Sequence, residues 1–136
     1  MELITDRTES DVFLGNEKGI YRFSDLNRVE AAVGEIAELF PELGTSLVLT
    51  TKTDWGLPGA FSVAEWPVAS QMNRYLGNVI AIKKLFSITL LLPASMAKLN
   101  WNGANNIEKT LQQAMTRATN TIQTFRYSGE FYSGEE

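Results

Sequence analysis

The stretch NNIEKTLQQAMTRATNTIQTF, residues 105–125, decides the fold class. In it Ile107, Leu111, Ala114, Ala118, Ile122 and Phe125 return at intervals of four and three, which places them along one side of a helix. The stripe is straight, narrow and small at its middle, so another helix can approach it closely. This helix is predicted to begin at Asn102 or Gly103.

Moving back along the chain, Met72, Tyr75, Leu76, Val79, Ile82 and Phe86 form a second stripe, predicting a helix from about Ser70 to Phe86 with Arg74, Asn78 and Lys83 outside it. A third stripe is Leu26, Val29, Val33, Ile36 and Phe40, joined by Ala37. Ser24 stands where an N-cap belongs, Asp25 suits the positive end of the helix dipole, and Pro41 followed by Gly44 ends the segment. Arg28, Glu30, Glu35 and Glu38 are assigned to its solvent face. Residues 46–53, rich in Leu, Val and Thr, read as a short strand, and 88–92 either prolong the second helix or form a buried strand. Residues 54–67 hold Gly56, Pro58, Gly59 and Pro67 and read as a loop. Residues 2–22 lack a sustained period and read as an arm that packs through Val12, Phe13, Tyr21 and Phe23. The expected architecture is mainly α: a three-helix bundle with a short β element and an extended N-terminal arm. It forms one domain over 1–136, with 1–23 as arm or loop, 24–126 as helical core and 127–136 as an acidic tail that repeats the phrase Tyr-Ser-Gly-Glu.

At 136 residues the chain suits one core and is short for two. Its 44% apolar and 21% charged residues are a globular balance, far from that of a disordered chain. A net charge of -4 and a pI near 4.9 repel phosphate and anionic lipid, so neither nucleic acid nor membrane is an expected partner. There is no cysteine and no histidine, which removes disulfides, the usual zinc sites and histidine- or thiol-based catalysis together. The N terminus lacks the pattern of a signal peptide, and the run Ile88 to Leu92 falls far short of the ~20 residues that span a bilayer.

Five residues are candidates for an interaction surface: Arg28, Trp55, Trp66, Arg74 and Trp101. The tryptophans offer area for stacking on a sugar or peptide, although plugging the domain is the weightier reading. Arg28 and Arg74, each preceded by an asparagine, present planar forks suited to a carboxylate on a neighbouring subunit, against the plainer reading of solvated first-turn residues. Glu30 and Glu108 read as helix-surface charge rather than as a hydrolase pair. Asp6, Glu9 and Asp11 lack the Gly and closing Glu of a calcium loop, and the glycines fit no nucleotide fingerprint. No catalytic residue, metal or cofactor is expected.

The three helix starts echo one another: Leu26-Asn27-Arg28-Val29-Glu30, Met72-Asn73-Arg74-Tyr75-Leu76 and Asn105-Asn106-Ile107-Glu108. Shared capping chemistry accounts for such an echo without a duplication. Together with Thr5-Asp6-Arg7-Thr8, Lys52-Thr53-Asp54-Trp55 and Leu92-Pro93-Ala94-Ser95-Met96, these phrases resemble a family of small proteins encoded among the tail genes of phages and prophages of Firmicutes. The resemblance spans nearly the whole chain. It implies a virion, tail, baseplate or appendage role, with other phage tail proteins and further copies of the chain as partners, and location in the virion after assembly in the bacterial cytoplasm. Two other functions fit the same residues: a carbohydrate- or peptide-binding module built on exposed Trp, and an assembly chaperone or host-directed accessory outside the virion.

Overall fold

The computed structural model describes residues 2–56 and 69–134, with side chains as far as residue 126. The elements are α1 (Glu9–Leu14), α2 (Phe23–Ala37), α3 (Phe40–Leu43), α4 (Ala69–Leu85), a 3-10 turn at Met96–Lys98, and α5 (Trp101–Gly134). The chain is mainly helical, and the described residues contain no strand.

Each long helix buries the stripe its sequence marks. Val29, Val33 and Ile36 of α2, Tyr75, Val79 and Ile82 of α4, and Ile107, Leu111 and Ala114 of α5 are all buried in one core. The helices α2, α4 and α5 each contact the other two. Ala114 and Ala118 are fully buried, consistent with the small middle of the α5 stripe. Phe125 leaves that stripe and is 60% exposed. Near it α5 is tied to the α3 end by Arg126, whose Nη2 lies 3.0 Å from Glu42 Oε2.

The ends of the elements correct several expectations. The cap of α2 is Arg22, ahead of Ser24, because Asp25 in the first turn accepts the Arg22 backbone N–H at 2.7 Å. The chain leaves α4 through Ser87 at φ 55°, with Ile88 N–H bonded back to Lys83 O, so 88–92 neither prolongs the helix nor forms a strand. Residues 46–53 also fail to pair as a strand. The Thr50 carbonyl accepts instead from Arg74 Nη1 and Asn78 Nδ2 of α4, both at 2.7 Å. Asn78, assigned to the outside by its polarity, is buried there. The arm contains α1, capped by Thr8, and it packs through Leu3, Tyr21 and Phe23, whereas Phe13 is 91% exposed. Finally, α5 continues past residue 126 as far as Gly134, into the segment read as an acidic tail.

Candidate functional site

The echoing phrases occupy one helical register. Asn27, Asn73 and Asn105 are each the fifth residue of their helix. Arg28, Arg74 and Asn106 are sixth, and Glu30, Leu76 and Glu108 are eighth. Two of the three copies do the same chemical work.

On α5, Asn105 takes both backbone groups of Arg7: its Oδ1 accepts the Arg7 N–H at 3.0 Å and its Nδ2 donates to the Arg7 carbonyl at 2.8 Å. That two-way bond positions the Arg7 side chain, whose Nη2 reaches Glu108 Oε2 at 2.6 Å, one helical turn along from Asn105. Arg28 of α2 approaches the same carboxylate through Nε at 2.6 Å and Nη2 at 3.0 Å. The Ile4 N–H adds a fourth donor at 3.0 Å. Asp25 completes the group, accepting from Arg28 Nη2 at 2.5 Å and Arg7 Nη2 at 3.4 Å.

On α2 the arrangement recurs with different letters. Asn27 Oδ1 accepts the Trp55 N–H at 2.7 Å and its Nδ2 donates to the Trp55 carbonyl at 2.9 Å. The Trp55 indole N–H then donates to Glu30. Arg74 of α4 closes on that carboxylate with both terminal nitrogens, at 2.6 and 3.1 Å. Directly after Trp55 the chain turns at Gly56, with φ 73°, where a Cβ would lie 2.6 Å from the Phe23 side chain.

Glu30 and Glu108 are thus buried, at 1% and 0% exposure, not on the surface as their charge suggested. Burying a carboxylate costs several kcal/mol unless donors replace its water, and here arginine forks do so. The α5 cluster is balanced, two guanidiniums against two carboxylates, and no buried side-chain polar atom among the described residues lacks a hydrogen bond. Burial works against the charge on Arg28, but hydrogen bonds to Glu108 and Asp25 outweigh it and raise the pKa. Beside the cluster, the Tyr21 and Tyr75 hydroxyls share a 2.5 Å hydrogen bond. Burial is the main reason that both phenols are pushed up from 10.0.

The candidate residues therefore separate. Arg28 and Arg74 do fork carboxylates, but within the chain instead of across a subunit boundary. Trp55 is 2% exposed and plugs the α2 side, with Lys52 Nζ 5.3 Å over its ring. Trp66 lies outside the described residues. Trp101, half-buried at the start of α5, lines a separate small hollow with Arg7, Lys18 and Asn100. The residues that sequence reasoning passed over are Arg7 and Asn105. Asn105 carried a signal, the fifth-and-eighth spacing that it and Glu108 share with Asn27 and Glu30, whereas Arg7, outside the helices, carried none. The carboxylates considered for calcium have other work: Asp11 Oδ2 accepts the Thr8 N–H at 2.9 Å, and Asp6 pairs with Lys18 at 2.8 Å. Among the described residues no three Asp or Glu side chains gather as a metal would require, and no helix is long and apolar enough to cross a membrane.

The third copy, on α4, differs. Asn73 is exposed, and its side chain makes no hydrogen bond among the described residues. It borders a groove of about 1050 Å³ lined by Tyr21, Phe23, Leu26, Met72, Met96 and Leu99, with Arg22 at its edge. Apolar side chains also stand in solvent on α1, where Phe13 and Leu14 are 91% and 72% exposed. Comparison with known protein families, curated proteins and solved structures finds no match to this chain.

Proposed function

We propose that this chain is a tail-associated structural protein of a phage or prophage, a three-helix bundle that binds further copies of itself and neighbouring virion proteins. The observation that carries the reading is the contrast between its charges and its apolar surface. Six charged groups, Arg7, Arg28, Arg74, Asp25, Glu30 and Glu108, are consumed in internally balanced clamps, while Phe13 and Leu14 project from a helix anchored close by at Arg7. Val12, Phe13 and Leu14, consecutive and exposed on α1, form an apolar cluster of the kind that protein contacts use. The tail-gene resemblance of the motifs from Thr5 to Glu108 suggests the setting. Burial of Trp55 tells against a sugar site built from the three tryptophans.

The test is peptide mass spectrometry of density-purified particles, with copy number measured against a known tail protein. Stoichiometric presence supports the reading, and the copy number then bears on ring symmetry. Absence from intact particles, with the protein plainly expressed in the lysate, overturns it in favour of a chaperone or host-directed accessory.

A further inference from the structure

We propose that the groove beside Asn73 binds an extended apolar segment of another protein chain, holding one of its peptide units by the two-way amide bond that Asn27 and Asn105 make inside the molecule. The template is internal. At the fifth position of α2 and of α5, the asparagine side chain takes the backbone N–H and carbonyl of one residue in a non-helical segment, Trp55 and Arg7 respectively. Asn73 holds the same position in α4 and is unoccupied by any described residue.

The chain's own layout indicates why the position is open. The segment preceding α2 is clamped on α5, and the segment preceding α4 is clamped on α2. By that rotation the segment preceding α5 belongs on α4. It does run there, since the Met96–Lys98 turn contacts α4 and Ser95, Met96 and Leu99 line the groove. It nonetheless makes no bond to Asn73, which leaves an apolar gap between it and α2. An extended strand fits such a gap through alternate side chains, with backbone bonds supplying affinity. The lining also defines the occupant's chemistry. Tyr21, Phe23, Leu26, Met72, Met96 and Leu99 call for apolar side chains. Arg22, the one charged residue among the described residues of the lining, forms no ion pair with any of them and calls for an acidic side chain on the ligand. This inference stands apart from the virion reading, because it concerns the groove whatever particle or cell supplies the segment.

The experiment pans a displayed library of random 12-residue peptides against the full chain and measures the enriched peptides by fluorescence anisotropy. The expected result is a consensus of alternating apolar residues with one acid. Affinity should fall on the order of tenfold in Asn73→Ala, as two neutral hydrogen bonds are lost, and stay unchanged in Asn120→Ala on the exposed side of α5. N-methylation of one backbone amide in the peptide should cost as much as Asn73→Ala. Asn73 makes no side-chain hydrogen bond among the described residues, so the variant should melt like the parent, and a thermal scan verifies this. The proposal is overturned by three results: no enriched peptide, equal binding to Asn73→Ala, or binding that arises only when residues 57–68 are replaced by a Gly-Ser linker of equal length. The last would make the chain's own residues the occupant.

Discussion

Replacing Glu108 by Gln changes almost no volume and removes one charge from the most enclosed ionic group among the described residues. The carboxylate accepts four hydrogen bonds, from Arg7 Nη2, both nitrogens of the Arg28 fork and the Ile4 N–H, at 2.6 to 3.0 Å, and none of it reaches solvent. In Glu108→Gln one oxygen becomes an N–H₂ facing guanidinium donors, and Arg7 is left with Asp25 at 3.4 Å as its remaining carboxylate. Removing one partner of a buried pair costs about 3–5 kcal/mol. For a chain of this length each kcal/mol is worth roughly 3–5 °C, so the melting temperature should drop by about 10–20 °C. Calorimetry on Glu108→Gln, with the exposed Glu35→Gln as control, measures the difference; the control should remain within about 0.5 kcal/mol of the parent. A second variant examines the cause. Arg7→Met with Glu108→Leu replaces the charges by apolar groups and should be less destabilised than Glu108→Gln alone, because it strands fewer charges. A loss below about 1 kcal/mol for Glu108→Gln would refute the claim that this cluster is tightly coupled.

Other consequences follow from the same geometry. Trp55→Phe keeps an aromatic side chain but deprives Glu30 of the indole N–H, and urea denaturation should register a loss of at least about 1–3 kcal/mol. Ala114→Leu overfills the close approach at the middle of α5 and should cost about 1–3 kcal/mol in the same assay, whereas an unchanged midpoint would mean the helices have room to part. Tyr21 and Tyr75 have pKa values raised in the folded state, so the stability they contribute is fully present below pH 10.0 and declines as pH rises above it. Phenolate absorbance should show these two ionising only with unfolding; all four tyrosines titrating together in the folded protein would contradict their burial. Phe13→Ser, on the exposed face of α1, should leave the unfolding free energy within about 0.5 kcal/mol of the parent while weakening self-association in sedimentation experiments.

The helices were legible because burial and periodicity agree in them. Val29, Val33 and Ile36 repeat as a helix requires, and nothing about their chemistry disputes the core position. Glu30 and Glu108 show where the two signals conflict. Glu30 lies four residues after Leu26 and three before Val33, and Glu108 four after Ala104 and three before Leu111, so periodicity assigns both to the buried stripe. Their charge assigned them outward. The charge reading failed because their partners, Arg74 and Arg7, are 44 and 101 residues away in sequence and no local window contains them. Residues 46–53 were misread for the opposite reason. Their β-favouring composition is local, but the neighbour that satisfies the Thr50 carbonyl is a pair of side chains on α4. For the candidate site, the forks of Arg28 and Arg74 were chemically legible and only their destination was not. Asn73 was visible solely as an echo, and its meaning needed the two occupied copies beside it.

The clamp on Arg7 also bears on the order in which the chain can become itself. Proteins are made from the N terminus at about 5–20 residues each second, and Arg7 emerges 98 residues before Asn105 and 101 before Glu108. During that interval Arg7 and Arg28 have no Glu108 to neutralise them, and the segment leading to α1 has no dock. The apolar side chains of Phe13 and Leu14 therefore travel on a loose tether until the last long helix arrives. Only then does the anchor set, so the segment leading to α1 takes its fixed position only after α5 has been made.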